Sequence, residues 1–391
     1  MRTPLGHTAF TYCVFDCIRS VGLEDWRNAT SNSSLYLSYN YLCGYQDGMS
    51  NTTDFRYVLI YDVRGNAVVA FVFQRLRFSL RELLQQRITS KALIFISSLI
   101  ASEKEISILM CGNLFVSGET GYAHHTSVTK KDALFLIGEL IKSPRRLLIF
   151  NTSFSFIVFK EFWPSSSDVF SVLRNFNYQK FAIDNNMLLA IHSEWNRFED
   201  YLNSMKTKYR TRAKNVLKKS SEIKSLNLNS EQIQKFLPTI KVLYENVIEK
   251  SDYSLGTLSV DTFVKFKREL KEKFVFSGYF LENTLVGFST AFVDQQFVDA
   301  NFIGVDYNFV KSHKLYQRIL YDFVSFSIDN QTKVLRLGRT AETIKSGVGA
   351  SPISMYLFAK HSGCLKYYLL RIVLKYVKPE NPQIRKPFKK K

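Results

Sequence analysis

The stretch FVFSGYFLENTLVGFSTAFVDQQFVDANFIGVD, from Phe274 to Asp306, limits the fold more than any other part of the chain. It holds three runs rich in Val, Phe and Tyr, separated by ENT and DQQ. Aromatic and β-branched residues suit a pleated, half-buried surface, and polar residues suit the reversals between strands. The pattern predicts a three-stranded antiparallel meander. Leu315, Ile319, Leu320, Phe323 and Phe326 then recur at helical spacing, which predicts an amphipathic helix over Lys314–Ile328, ended by Asn330. The run KVLRL reads as a further strand.

The first half of the chain carries a related succession. In FRYVLIYDVRGNAVVAFVFQR, two β-rich runs flank RGN, so Tyr57–Tyr61 and Ala67–Gln74 read as a hairpin. A helix over Ser90–Ser102, a strand over Ile106–Cys111 and a helix from about Lys131 to Ile141 follow. Then come a strand in RRLLIF and a helix near Ser166–Asn175. The halves do not align residue by residue, so they share an architecture and not a sequence repeat. Between them, Trp195, Phe198, Tyr201 and Leu202 form the apolar start of a helix. Lys206, Lys208, Arg210, Arg212, Lys214, Lys218 and Lys219 form its basic continuation. The expected boundaries are 1–190, 191–372 and a basic, disordered tail over 373–391.

A chain of 391 residues is comfortable for two cores. Its formal charge is +19, and most of it lies late: residues 1–190 carry about 19 cations against about 15 anions. A surplus of this kind either keeps the protein soluble or meets a polyanion such as nucleic acid, a phosphorylated ligand or an anionic membrane. Five cysteines without a CxxC pair read as a reduced, cytoplasmic protein. Cys13 and Cys17 have no His spaced to join them, so no metal is expected. The start MRTPLGHTAF lacks the apolar core of a signal peptide, and LLIFNTSFSFIVF is too short and polar to span a membrane.

No nucleophile elbow, Walker loop, HExxH or Rossmann glycine pattern occurs. Hydrolysis, nucleotide triphosphate chemistry and dinucleotide oxidoreduction are therefore disfavoured. Direct group transfer, in which the protein positions two substrates and manages one proton, fits better. Three stretches could carry it. The basic helix is either a solvated face or a seat for phosphates, with Lys208, Arg210 and Arg212 the candidate contacts. Lys311, Ser312, His313 and Lys314 stand where a strand ends and a helix begins, which suits an anion; alternatively Ser312 only caps that helix. In LGRTAETIKSGVGASP, Arg339, Glu342 and Lys345 either pair among themselves or, with Thr340, bind an acceptor substrate. Glu342 would then take its proton. The apolar run ISMYLFAKH follows and reads as a helix that could return Tyr356 and His361 to the same cleft.

WNRFEDYLNSMKTKYRTRAKN, the meander, the helix after FIGVD and LGRTAETIKSGVGASPISMY together resemble the GNAT-like acyltransferases. More narrowly they resemble the peptidoglycan biosynthesis and recognition branch, akin to the Fem-type aminoacyltransferases; ILMCGNLFVSGETGY in the first half is similar to that branch too. The resemblance implies an α/β (α+β) chain of two tandem GNAT-like domains, each a mostly antiparallel mixed sheet flanked by helices. It implies an acyl or aminoacyl group moved from acyl-CoA or charged tRNA to an amine on a small molecule or glycan; on the residue reading above, Glu342 and Tyr356 are the expected catalytic residues. The family's donor pyrophosphate lies at a helix start, which maps here to Lys311–Lys314. The family's glycine-rich loop is missing there, since the matching residues read NFVKSHKLY. A silent GNAT-fold module that binds glycan or nucleic acid stands as the alternative, with peripheral contact to an anionic membrane as a further expectation. No stable protein partner is inferred.

Overall fold

The computed structural model describes residues 2–6, 8–49, 53–79, 105–142, 154–250, 257–361 and 383–389. The expected helix Ser90–Ser102 and the expected strand RRLLIF lie outside them. The chain divides into two compact units. The first comprises Met1–Ile183, Asp252–Gly256 and Ser354–Pro379; the second comprises Asp184–Ser251, Thr257–Ile353 and Glu380–Lys391. Each holds a mostly antiparallel mixed sheet flanked by helices.

In the first unit, Asp54–Tyr61 pairs antiparallel with Ala67–Ser79, which pairs in turn with Glu105–Cys111. Glu105–Cys111 then pairs in parallel with Phe156–Phe162, Ile108 standing opposite Phe156. Parallel neighbours need a long crossover, and the helix Lys130–Ile141 lies in it. That helix buries Leu134, Ile137 and Leu140 in one core with Phe71, Phe73 and Phe159. Each such side chain contributes roughly 1.5–3 kcal/mol on leaving water.

The second unit repeats the plan. Phe274–Leu281, Thr284–Val293 and Phe297–Val305 form the expected antiparallel meander. The crossover passes through a short helix, Tyr307–Ser312, and the longer Leu315–Asp329, and returns as Val334–Arg336, parallel to Phe297–Val305. This ladder covers only Phe297 to Asp299 against Val334 to Arg336, after which the two strands part. The crossover helix buries Leu315, Ile319, Leu320 and Val324. Phe263 and Tyr244, from the helices Asp261–Leu270 and Leu237–Glu249, cluster with Phe288 and Phe302.

Three readings of the sequence change. The basic stretch is two helices, Phe198–Ser204 and Thr207–Lys219, broken at the extended Met205 and Lys206. ISMYLFAKH is part of a strand, Ser351–His361, and not a helix. A bulge between Tyr356 and Phe358 interrupts its two-residue alternation, so buried Met355, Phe358 and Ala359 fall at helical spacing. Residues 383–389, expected as disordered tail, are docked on the second unit. The Lys206 amide donates to Pro387 O (2.8 Å), the Lys389 amide donates to Ser204 O (3.0 Å), and Phe388 bridges to Met205.

Candidate functional site

The second unit builds its site where Val334–Arg336 ends. The amide of Leu337 donates to Met187 O (2.8 Å) and the amide of Met187 to Gly338 O (3.0 Å), closing the ladder. The chain then turns through Gly338, Thr340 and Ala341, at φ of +69°, +62° and +49°. Left-handed backbone costs a residue other than glycine about 1 kcal/mol or more, and such strain gathers at functional loops. The short helix Glu342–Gly347 follows at once and reaches back to the loop. The amides of Ile344 and Lys345 donate to Ala341 O (2.9 and 3.1 Å), and Lys345 Nζ donates to Arg339 O.

Lys345 is 6% exposed. Burial pushes its amine down to about 7, against the opposing pull of the Glu342 carboxylate. Glu342 is half-buried, and burial raises its carboxyl, while a hydrogen bond from Asn185 works the other way. Its Oε2 is buried without a hydrogen-bond partner. Next to Asn185 on the strand Gln179–Ala190, Asn186 is fully buried and neither its amide oxygen nor its nitrogen is paired. Unpaired buried amides are rare because each costs roughly 1–3 kcal/mol, so this one marks a candidate that the sequence did not reveal.

The opposite side of the short helix lines a cavity. Ile344, Gly347 and Val348 face it, together with Lys208, Arg212, Asn215 and Lys219 of the basic helix. Lys314, Gln317, Leu320 and Tyr321 of the crossover helix and Arg385 of the C-terminal segment complete it, around a volume of about 620 Å³. Five of these side chains are cations and none is a carboxylate. The crossover helix starts here, at Lys314 with φ +56°, and no side chain caps its first turn. Uncapped N–H groups and the positive end of the helix dipole add to the cationic lining. The first unit differs at the corresponding helix, Lys130–Ile141. Thr129 accepts a hydrogen bond from the Asp132 amide (3.2 Å), Asp132 sits in the first turn, and Lys130 is paired with Glu119. A smaller cavity in the second unit, about 230 Å³, mixes Arg318 with Asp322 and Asp329, and Arg318 is already tied to Asp322 at 2.7 Å.

The expected residues therefore separate. Lys208, Arg212 and Lys314 line the large cavity, and Arg339, Glu342 and Lys345 form the cluster behind it, with Thr340 exposed on the strained loop. Arg210 is half-buried on the basic helix, and Lys311 is exposed; neither lines the cavity. Ser312 does not cap the crossover helix: its hydroxyl donates back to Asn308 O (2.9 Å) and meets His313 Nδ1 (2.9 Å). His313 Nε2 lies 3.7 Å from Glu222. Tyr356 belongs to the first unit, edge-on to Phe170 (5.7 Å), with Lys180 Nζ 3.6 Å from its ring centre. Lys219 and Arg385 are cavity residues that the sequence did not single out as contacts. Among the described residues, no three His, Cys, Asp or Glu side chains gather to hold a metal, and no helix is long and apolar enough to cross a membrane.

No family model matches the sequence, and no curated protein matches it. Solved structures do match its fold. A tandem GNAT protein from the clavulanic acid biosynthesis pathway is 7% identical, with a TM-score of 0.53 over 91% of this chain and 99% of that one. FemX is 9% identical, with a TM-score of 0.52 over 90% of this chain and 97% of that one. The C-terminal domain of a protein assigned as a lysylphosphatidylglycerol synthetase, from Agrobacterium fabrum, is 10% identical, with a TM-score of 0.50 over 89% and 95%. At such identities the likeness establishes a common fold.

Proposed function

We propose that this chain, a tandem GNAT fold, transfers an acyl or aminoacyl group from an activated, phosphate-bearing donor to an amine. The donor's phosphates sit in the cation-lined cavity of the second unit. The observation that carries this reading is the cavity itself: five cations and no carboxylate around the uncapped start of a helix. Its volume of about 620 Å³ suits part of a small-molecule donor or the end of a charged tRNA. Side chains, not a glycine-rich loop, do the gripping, since the matching stretch NFVKSHKLY is mostly helix here.

Direct transfer needs no covalent enzyme intermediate. The acceptor nitrogen attacks the acyl carbon, the bond from that carbon to the donor's sulfur or oxygen breaks, and the amine's proton passes to the protein. Glu342 takes that proton: burial raises its carboxyl, which makes it a better base than an ordinary carboxylate. Lys345 supports it from behind, and Arg339 and Thr340 orient the acceptor. Backbone N–H groups released where Phe297–Val305 and Val334–Arg336 part supply the partner for the developing oxyanion. The acceptor is an amine on a small molecule or glycan, and the setting is cytoplasmic. Tyr356 is assigned no step.

Thermal stability of the purified chain against CoA, several acyl-CoAs and bulk tRNA, at low and moderate salt, tests the reading. A ligand at a hundred times its Kd adds about 2.7 kcal/mol of stability, enough to raise the Tm by several degrees. We expect one donor class to give such a rise at moderate salt, and Lys314→Ala and Arg212→Ala to remove it. No rise with any donor overturns the proposal. Binding without transfer to any amine favours a silent binding module instead.

A further inference from the structure

We propose that the C-terminal segment, residues 383–389, is a wall of the donor cavity and that Arg385 contacts the donor's phosphate directly. The inference rests on the reading of that cavity as the donor site. The segment is fastened at both ends. The Arg385 amide donates to Ser346 Oγ (3.1 Å), and Lys206 Nζ donates to Lys386 O (3.1 Å). Lys389 Nζ donates to Asn203 O (2.9 Å), and the Phe388 ring lies 5.5 Å from that of Trp195 and 5.9 Å from that of Tyr201.

Two glycines of the site lie against this segment. A Cβ on Gly347 would stand 3.4 Å from Arg385 Nη1, an ordinary contact distance that puts the guanidinium beside the short helix. Gly349 has φ +101°, and a Cβ there would come within 2.3 Å of Phe388 Cε2. At Gly349 the absence of a side chain leaves the space that Phe388 fills. The guanidinium lines the cavity, and among the described residues no carboxylate pairs with it. A guanidinium held this way can grip a phosphate through two parallel hydrogen bonds, which an ammonium cannot do.

The test is isothermal titration of the full chain, at moderate salt, with CoA and with bulk tRNA. Arg385→Ala, Arg385→Lys and Arg212→Ala are compared with Lys224→Ala, an exposed cation outside the cavity. We expect Arg385→Ala to weaken binding about tenfold or more. Arg385→Lys should fall between, because it keeps the charge and loses the fork, and Lys224→Ala should match the unaltered chain. An unliganded Tm near that of the unaltered chain shows that Arg385→Ala still folds. Loss of binding in Arg212→Ala with none in Arg385→Ala overturns the inference and leaves the donor site standing. Unaltered affinity in both variants, or no binding of either probe to the unaltered chain, overturns both.

Discussion

The Lys345 amine donates to the Arg339 carbonyl inside the strained loop, and burial holds its pKa at about 7 instead of the usual 10.5. Below pH 7 the amine is charged in the folded and unfolded chains alike, and the cost of burying that charge is fully present. Between about pH 7 and 10.5 only the unfolded chain holds the proton, so stability rises with pH, by up to about 1.4 kcal/mol per pH unit. Buried tyrosines such as Tyr279 act oppositely, because burial raises their phenols and the unfolded chain ionises first above pH 10. Urea unfolding from pH 7 to 9.5 should therefore show increasing stability, and Lys345→Met should flatten the rise. An unchanged slope in that variant would place the titration elsewhere. Arg339, Glu342 and Lys345 were legible as a group because polar side chains interrupt an apolar run where a strand should simply turn. Arg385 was not, because a basic, proline-containing tail looks the same in sequence whether it is solvated or docked. Gly349 sits in a turn at φ +101°, and Phe388, about forty residues further along, occupies the space that a Cβ there would need.

At the scale of elements, the meander could be read from its β-rich runs and polar reversals, although both of its ladders carry a bulge, and the crossover helix could be read from its helical period. Two other elements could not. The bulge beside Tyr356 gave the strand Ser351–His361 a helical burial spacing, and nothing in the composition marked the break at Met205 and Lys206. That break turns one basic helix into a short apolar one and a longer cationic one. The cationic helix has two faces: Lys208, Arg212 and Lys219 line the cavity, while Lys214 and Lys218 are exposed outside it. If the donor is a charged tRNA, the outer face should hold its phosphates as well. The double variant Lys214→Glu, Lys218→Glu should then weaken tRNA binding and flatten its dependence on salt by about two phosphate contacts. If the donor is a CoA thioester, the same variant should bind it with a smaller loss, since neither side chain lines the cavity and charges in solvent are screened by salt. Titrations across salt concentrations separate the two outcomes.

Across the whole molecule, each unit makes an antiparallel meander, crosses over by helix and returns in parallel. The succession of strands, helix and strand was legible in the order of the runs, but the parallel return and the first unit's strand Phe156–Phe162 were not. The two units differ in what surrounds the crossover helix. In the first, Thr129 and Asp132 occupy its start and Glu119 neutralises Lys130; in the second, the start is uncapped and surrounded by cations. The surplus of positive charge after residue 190 is consistent with that difference, though only the fold shows which cations converge. We propose donor binding in the second unit alone. The most direct check is an experimental structure of the chain with a bound donor, either a CoA thioester or an aminoacylated acceptor-stem minihelix. We expect donor phosphates within hydrogen-bond distance of Lys314 and Arg212, in the cavity beside the helix Leu315–Asp329. Phosphates bound at the first unit's helix Lys130–Ile141, or a donor seated elsewhere with this cavity unfilled, would contradict it.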